Sequence, residues 1–345
     1  MKIALITNKF FIGGGIEHIY QICIAMPTIK FAVFGNKGDA EYKFEKLDNV
    51  TIYNNGYRKN DIDSFDPDIV HFHSLTPLLK LYNLKYKKIV TIHGMHIHKY
   101  EYLSGIKSKI LYIIRLYLEK YLYKKVDKII TVSDDDKQYL YEKYNLQSIL
   151  IHNGIDTKNI EKITNKKVTL KKELKFPTNK KICITVARFD FPKDYDTLVD
   201  AIQIVNQKSD EYIFYFIGDG DIKQQIENKV KKLNINNIIF LGTRQDISKI
   251  MKASDIFILP SKWEGLPITA LEALASKLKL LLSNTYGNRT VYKYNKENVE
   301  LFELFDKTDL SNKILNSSFN FSEIKNFFTL EKMVKKLEQV YYDII

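Results

Sequence analysis

Short runs of β-branched and other apolar residues recur along the chain, each followed by a segment long enough for a helix. In the first half these are IALIT (3–7), FAVFG (31–35), DIVHFH (68–73), KIVTIH (88–93), KIITVS (128–133) and SILIHN (148–153). After a lysine-rich interval the pattern resumes with ICITVA (182–187), YIFYFIG (212–218), NIIFLG (237–242), DIFILP (255–260) and LKLLLS (278–283). A strand with one wet face alternates apolar and polar residues. These runs do not alternate, so both faces are expected to be covered, as in a parallel sheet flanked by helices. Two such series predict two doubly wound, Rossmann-like α/β domains, 1–160 and 182–325, joined by a basic linker at 161–181. A total of 345 residues agrees, because a single core rarely grows beyond about 250–300 residues. Near the end, Leu330, Met333, Val334, Leu337, Val340 and Tyr341 have helical spacing, predicting a helix over 326–345.

The formal charge of +12 is concentrated. Residues 99–128 carry eight Lys/Arg against three acids, and residues 158–181 carry nine Lys against two Glu. These two surpluses account for the whole excess, so the charge points to a local partner surface. The N-terminal apolar run, Ile3 to Thr7, is too short for a signal-peptide core. No stretch approaches the roughly 18 apolar residues of a membrane span. Cys23 and Cys183 lie apart in apolar segments, which suits a reducing cytoplasm.

Three segments carry candidate chemistry. In FIGGGIEHIY (11–20), consecutive glycines follow a strand and open a helix. That arrangement lets backbone approach a phosphate at a helix N-terminus, or simply makes a tight strand-to-helix turn. It is neither a dinucleotide fingerprint nor a P-loop, since His18 stands at the third glycine position and no Gly-Lys-Ser/Thr follows. In VARFDFPKDYDTLVDA (186–201), Arg188 and Lys193 offer a fork and a point charge suited to a diphosphate, or are ordinary surface cations. In SKWEGLPITALEALAS (261–276), Pro267 fits the first position of a helix. Glu264 then lies in the preceding loop and Glu272 inside the helix. Both could accept hydrogen bonds from sugar hydroxyls beside the free N–H groups near Leu266, or be incidental acids. Asp-x-Asp occurs five times and carries little information among 41 acids. Ser133 and Asp136 suggest a helix cap. His93, His96 and His98 lack the partners of a zinc site, and no metal is expected.

These segments, in this order, resemble the retaining GT-B glycosyltransferases of family 4, whose signature of two glutamates separated by seven residues reads EGLPITALE here. GGIE (14–17), PDIVHFH (67–73), TIHG (91–94), HNGID (152–156), ARFDFPK (187–193) and IGDG (217–220) extend the likeness across residues 1 to about 285. The resemblance implies a GT-B architecture of two Rossmann-like domains with the active site in the cleft between them. It also implies that the C-terminal helix returns to the first, acceptor-side domain, the second domain binding the nucleotide sugar. Arg188 and Lys193 would neutralise the leaving diphosphate, Glu272 would hold the ribose, and Glu264 the donor-sugar hydroxyls. Backbone N–H groups near Leu266 and Pro267 would assist the phosphate. Gly14, Gly15 and Gly218 would border the donor, and His93 would approach the transferred sugar. No cofactor or metal is implied. Two departures, ALASKLK (273–279) and NTYGNRTVYKY (284–294), bear on donor choice.

The expected activity is transfer of a hexose from a nucleotide-diphosphate sugar, a UDP-sugar first, to a glycan or lipid-linked acceptor in cell-surface polysaccharide assembly. The basic, tyrosine-rich 99–128 segment would dock on an anionic membrane from the cytoplasmic side, or is a solvated basic helix. A sugar-nucleotide epimerase or hydrolase on the same fold is the alternative. Nucleic-acid binding is disfavoured because no known nucleic-acid module is present.

Overall fold

The computed structural model of the protein describes residues 1–345 apart from 104, 319, 320 and 325–327. The chain divides into two compact units, Met1–Gly154 with Phe328–Ile345, and Ile155–Phe327.

The first unit is built on a sheet of eight strands: β1 (Lys2–Lys9), β2 (Lys30–Asn36), β3 (Val50–Tyr53), β4 (Asn55–Gly56), β5 (Ile69–Phe72), β6 (Lys87–Ile92), β7 (Lys128–Thr131) and β8 (Ile149–Leu150). Their order is β3-β2-β1-β5-β6-β7-β8, with every pairing on that path parallel. The two-residue β4 adds antiparallel to β2. The order reverses between β1 and β5, and ligands of open parallel sheets bind beyond the strand C-termini at such a switch. β1 carries Ile3, Leu5 and Ile6 fully buried, as the continuous apolar runs require of a sheet covered on both faces.

The helix Leu330–Ile344 belongs to this unit. Met333, Leu337, Val340, Tyr341 and Ile344 join Ile3, Ile19, Ile22 and Phe31 in one core. Thr329 caps this helix, its side chain accepting from the Lys332 N–H. The expected start at 326 lies outside the described residues, as does residue 104 of the basic segment.

The second unit carries six parallel strands: β9 (Lys181–Val186), β10 (Tyr212–Ile217), β11 (Ile238–Gly242), β12 (Ile256–Leu259), β13 (Lys279–Ser283) and β14 (Val299–Phe302). Their order is β11-β10-β9-β12-β13-β14, so the switch point falls between β9 and β12. The 161–181 stretch, read from sequence as a basic linker, is instead part of this unit. It contains the helix Lys167–Glu173, and Leu170 is buried. Asp255 accepts from Lys167 Nζ at 2.9 Å, Lys171 Nζ at 3.1 Å and the Ile182 N–H at 2.8 Å. The lysines that looked like a solvated run are partly spent on fastening this segment to β9 and β12.

Candidate active site

At the switch point of the second unit, two loops are laced together. β9 ends at Val186, and the following backbone is pinned to the loop after β10: Ala187 N–H donates to Ile217 O and Phe189 N–H to Asp219 O. Gly218 permits this approach. Its φ is +137°, and a Cβ there would stand 2.1 Å from the Ala187 carbonyl oxygen. Arg188 therefore projects from a backbone whose position depends on Gly218 having no side chain.

Arg188 is half exposed, and its Nη2 pairs with Asp190 Oδ2 at 3.0 Å. Burial raises the Asp190 carboxyl pKa, while Lys193 and Arg188 pull it down. Lys193, closing the one-turn 3-10 helix Phe191–Lys193, forms an ion pair with Glu264 Oε1. Ser261 Oγ donates to the same oxygen at 2.5 Å, and Lys262 N–H donates to Pro192 O at 2.7 Å. Lys262 Nζ also lies 3.7 Å from the Phe191 ring centroid, a cation–π contact between the loops.

Glu264 is fixed from behind as well. Its N–H donates to Tyr286 O at 3.2 Å, and Thr285 Oγ1 donates to Lys262 O at 2.5 Å. Gly287, at φ +76°, lies so close that a Cβ would meet the Gly265 oxygen at 2.0 Å. Thus NTYGNRTVYKY, the segment where this sequence departs from the family pattern, is the backing of the Glu264 loop.

The next helix is Ile268–Ala275. Pro267 stands at its N-cap with φ −69° and ψ 112°, one place earlier than the first helical position expected from sequence. Its ring sets φ, but its extended ψ keeps it outside the helix. Leu266 and Pro267 are buried, while Glu264 and Glu272 are partly exposed. Leu271 and Leu274 anchor the helix in the core, as the apolar stripe predicted. Arg188, Lys193, Gly218 and Glu264 thus converge through direct contacts, with Glu272 on the helix that follows. Asp190 and Tyr286 were not singled out from sequence: Asp190 is one acid among many, and Tyr286 acts through a main-chain oxygen that meets the Glu264 N–H from a separate loop.

In the first unit, Gly14 and Gly15 open the helix Gly14–Ala25. A Cβ on Gly15 would meet nothing within 4 Å, so the chain's own packing does not demand glycine there. His93 follows β6 and faces His73, which follows β5: His73 Nδ1 and His93 Nε2 are 3.0 Å apart. The His93 pKa lies well below the usual imidazole range, mainly through burial and then through the neighbouring His18 and His71. His93 is therefore neutral near pH 7 and suited to hydrogen bonding rather than to charge. His71 is held at both nitrogens, Nδ1 to Tyr341 Oη and Nε2 to Thr91 Oγ1, each at 2.7 Å. Ser133 caps the helix Asp134–Tyr139 as expected, although Asp136 accepts from the Ser133 hydroxyl at 2.8 Å rather than from its backbone.

The basic 99–128 segment forms the helix Ile106–Tyr123 over most of its length. Ile106 is 78% exposed and Tyr117 69%, and Ile110, Ile113, Ile114 and Tyr121 are exposed too. Glu119 is buried, accepting from Arg115 Nε at 2.5 Å and from Tyr144 Oη at 2.7 Å. A purely solvated basic helix would not leave so many large apolar side chains in water. Among the described residues, no helix is long and apolar enough to cross a membrane.

Comparison with known proteins gives a consistent picture. The family Glycosyltransferase Family 4 matches residues 40–159, and Glycosyl transferases group 1 matches residues 166–317. The UDP-Gal:alpha-D-GlcNAc-diphosphoundecaprenol alpha-1,3-galactosyltransferase of Escherichia coli is 28% identical over 81% of this chain and 76% of its own length. Among solved structures, sucrose-phosphate synthase from Thermosynechococcus elongatus superposes with a TM-score of 0.82 at 18% identity, covering 99% of this chain and 98% of that one. Anabaena Alr3699/HepE, solved in complex with UDP and glucose, gives 0.81 at 17% identity over 99% of this chain and all of that one. Two family matches in tandem and the paired Rossmann-like units lead to one conclusion: the chain belongs to the family-4 glycosyltransferases of GT-B fold.

Proposed function

We propose that this glycosyltransferase moves a hexose from a UDP-sugar to a lipid-linked glycan acceptor, with retention of anomeric configuration, in the assembly of a cell-surface polysaccharide. The observation that carries the reading is the laced pair of loops presenting Arg188, Lys193 and Glu264 beside the start of the helix bearing Glu272. The named relative from Escherichia coli, which uses UDP-Gal and a diphosphoundecaprenol-linked GlcNAc, supports the donor and acceptor classes. HepE, solved with UDP and glucose, supports the nucleotide.

In this reading the bond from the sugar's anomeric carbon to the diphosphate breaks, and the acceptor hydroxyl oxygen bonds to that carbon on the same face. The hydroxyl proton leaves with the UDP phosphate. Arg188 and Lys193 stabilise the departing negative charge, without a metal ion, as preorganised electrostatic groups. Each already has an acid partner, so the diphosphate exchanges with Asp190 for Arg188 while Glu264 keeps Lys193 in place. Glu264 accepts from sugar hydroxyls and Glu272 from the ribose, with N–H groups near Leu266 and Pro267 and the Gly218 turn completing the donor site. From the first unit we assign Gly14 and Gly15 to the donor and neutral His93 to the transferred sugar. The exposed apolar and basic face of the helix Ile106–Tyr123 is assigned to an anionic membrane surface, placing the enzyme peripherally on the cytoplasmic face.

The test is transfer from a panel of UDP-hexoses to a diphosphate-lipid-linked GlcNAc acceptor, with the product's anomeric configuration read by NMR. Glu272→Ala is expected to weaken UDP binding at least about 10-fold, and Arg188→Ala to slow turnover by roughly 100-fold. Donor consumed at full rate without acceptor would replace this reading by hydrolysis or epimerisation. Variants that bind and react like the parent would remove the site.

A further inference from the structure

The first unit gathers a group of side chains that sugar transfer does not use in full. His18 comes from the opening turns of the helix Gly14–Ala25, His73 follows β5, and His93 follows β6. One potential ligand atom from each ring lies within 4.8 Å of the others. Ring centroids are 4.7 Å apart for His18 and His93, 5.6 Å for His18 and His73, and 5.4 Å for His73 and His93. His18 and His73 are buried, yet neither nitrogen of His18 nor Nε2 of His73 reaches a well-formed hydrogen bond. Buried polar groups are ordinarily satisfied, so the open nitrogens of His18 and His73, with the His93 ring beside them, call for a ligand.

We propose that His18, His73 and His93 form a binding site for a divalent transition-metal ion of the zinc class. Two nitrogens bound tetrahedrally to zinc at about 2.0–2.1 Å lie about 3.3 Å from each other. His73 Nδ1 and His93 Nε2 share a hydrogen bond at 3.0 Å, and the metal would replace the proton between two nitrogens that already have nearly that separation. All three ligand atoms lie within 4.8 Å of one another, so binding draws the farthest nitrogen in by at most about 1.5 Å.

The neighbours help to distinguish ligands from supports. His71 is excluded as a ligand because both its nitrogens are taken by Tyr341 and Thr91. Its ring lies 4.2 Å from that of His73 and holds it in place. The side chain of Asn153 interacts with His18 and is placed to orient it, as outer partners of metal-bound histidines do. Three imidazoles without carboxylate or thiolate favour zinc, cobalt or nickel, and give magnesium and calcium little to hold. The inference stands on the first unit alone, and with Nε2 of His93 given to the metal, its Nδ1 is what remains for the sugar contact assigned above.

The experiment is titration of the full chain, stripped with chelator and dialysed, with Co2+. It is followed by visible absorption and then by competition with Zn2+ and Mg2+. The expected result is one Co2+ per chain with the intense bands of a low-coordinate nitrogen site, displaced by Zn2+ and untouched by excess Mg2+. His18→Ala and His73→Ala should each weaken binding at least 10-fold, while His152→Ala, whose imidazole pairs with Asp134, should not. Far-UV circular dichroism checks that each variant is folded. Absence of such bands in the parent protein would overturn the proposal, whatever the variants do. So would stoichiometric binding that persists in folded His18→Ala and His73→Ala but disappears with His98→Ala.

Discussion

Replacing Gly287 by alanine offers a sharp test of whether the Glu264 loop positions the donor sugar. The new Cβ would stand 2.0 Å from the Gly265 oxygen and 2.8 Å from the Glu264 oxygen. Carbon and oxygen rarely approach closer than about 3.3 Å, so the 264–265 peptide must retreat by about 1 Å. The backbone at Gly287 adds its own cost, since φ +76° with ψ −45° lies in a region disfavoured for side-chain-bearing residues. Holding alanine there costs about 1–3 kcal/mol.

A shift of about 1 Å in a group that orients substrate can cost roughly 100-fold in rate. The control is Gly56→Ala in β4, at φ +94°, where a Cβ comes no closer than 3.5 Å, to Asn36 Oδ1. That change introduces strain without displacement. Both variants are expected to lower the unfolding midpoint by several degrees, but only Gly287→Ala should reduce kcat/KM for transfer by about 100-fold. Transfer assays and UDP calorimetry on the folded variants, side by side, decide the matter. Equal activity of the two would show that the position of the 264–265 peptide does not govern the reaction.

Asp136 is buried, and its carboxyl pKa is pushed up to about 7 by burial. A folded pKa above the unfolded value means that ionisation favours unfolding, so stability is greatest below about pH 4 on this account and declines as pH rises towards 7. Between pH 5 and 8 the loss is roughly 2–3 kcal/mol, and Asp136→Asn should flatten that part of the denaturation profile measured in urea. Tyr341→Phe leaves His71 Nδ1 without its 2.7 Å partner and should cost about 1–3 kcal/mol, read as faster amide exchange along the helix Leu330–Ile344.

What could be read from the sequence was whatever depends on local pattern. The strands were visible because a strand buried on both faces is apolar throughout, and eleven of the strand positions follow directly from such runs. EGLPITALE was visible because a proline step, an apolar stripe and two acids fall within nine residues. The 161–181 stretch misled, since lysine density looks the same whether the ammonium groups are solvated or meet Asp255 more than 80 residues away. Tyr286 was hidden for a similar reason: its carbonyl matters only because the Glu264 N–H is brought to it from a separate loop. His18 gave a weak signal, one histidine in a helix, and its meaning depends on β5 and β6 standing side by side. The three histidines that caught attention together, 93, 96 and 98, are neighbours in sequence but not the trio that assembles.

The return of the helix Leu330–Ile344 to the first unit has a consequence for biosynthesis. The first unit's core includes Met333, Leu337, Val340 and Tyr341, and these follow everything in the second unit along the chain. During translation, therefore, the second unit can close its own core while the first still waits for one wall. Until that helix emerges from the ribosome, Ile19, Ile22 and Phe31 lack their covering, and His71 lacks the phenol of Tyr341. The order of synthesis thus reverses the order of completion: the unit that begins the chain is the one whose core closes last.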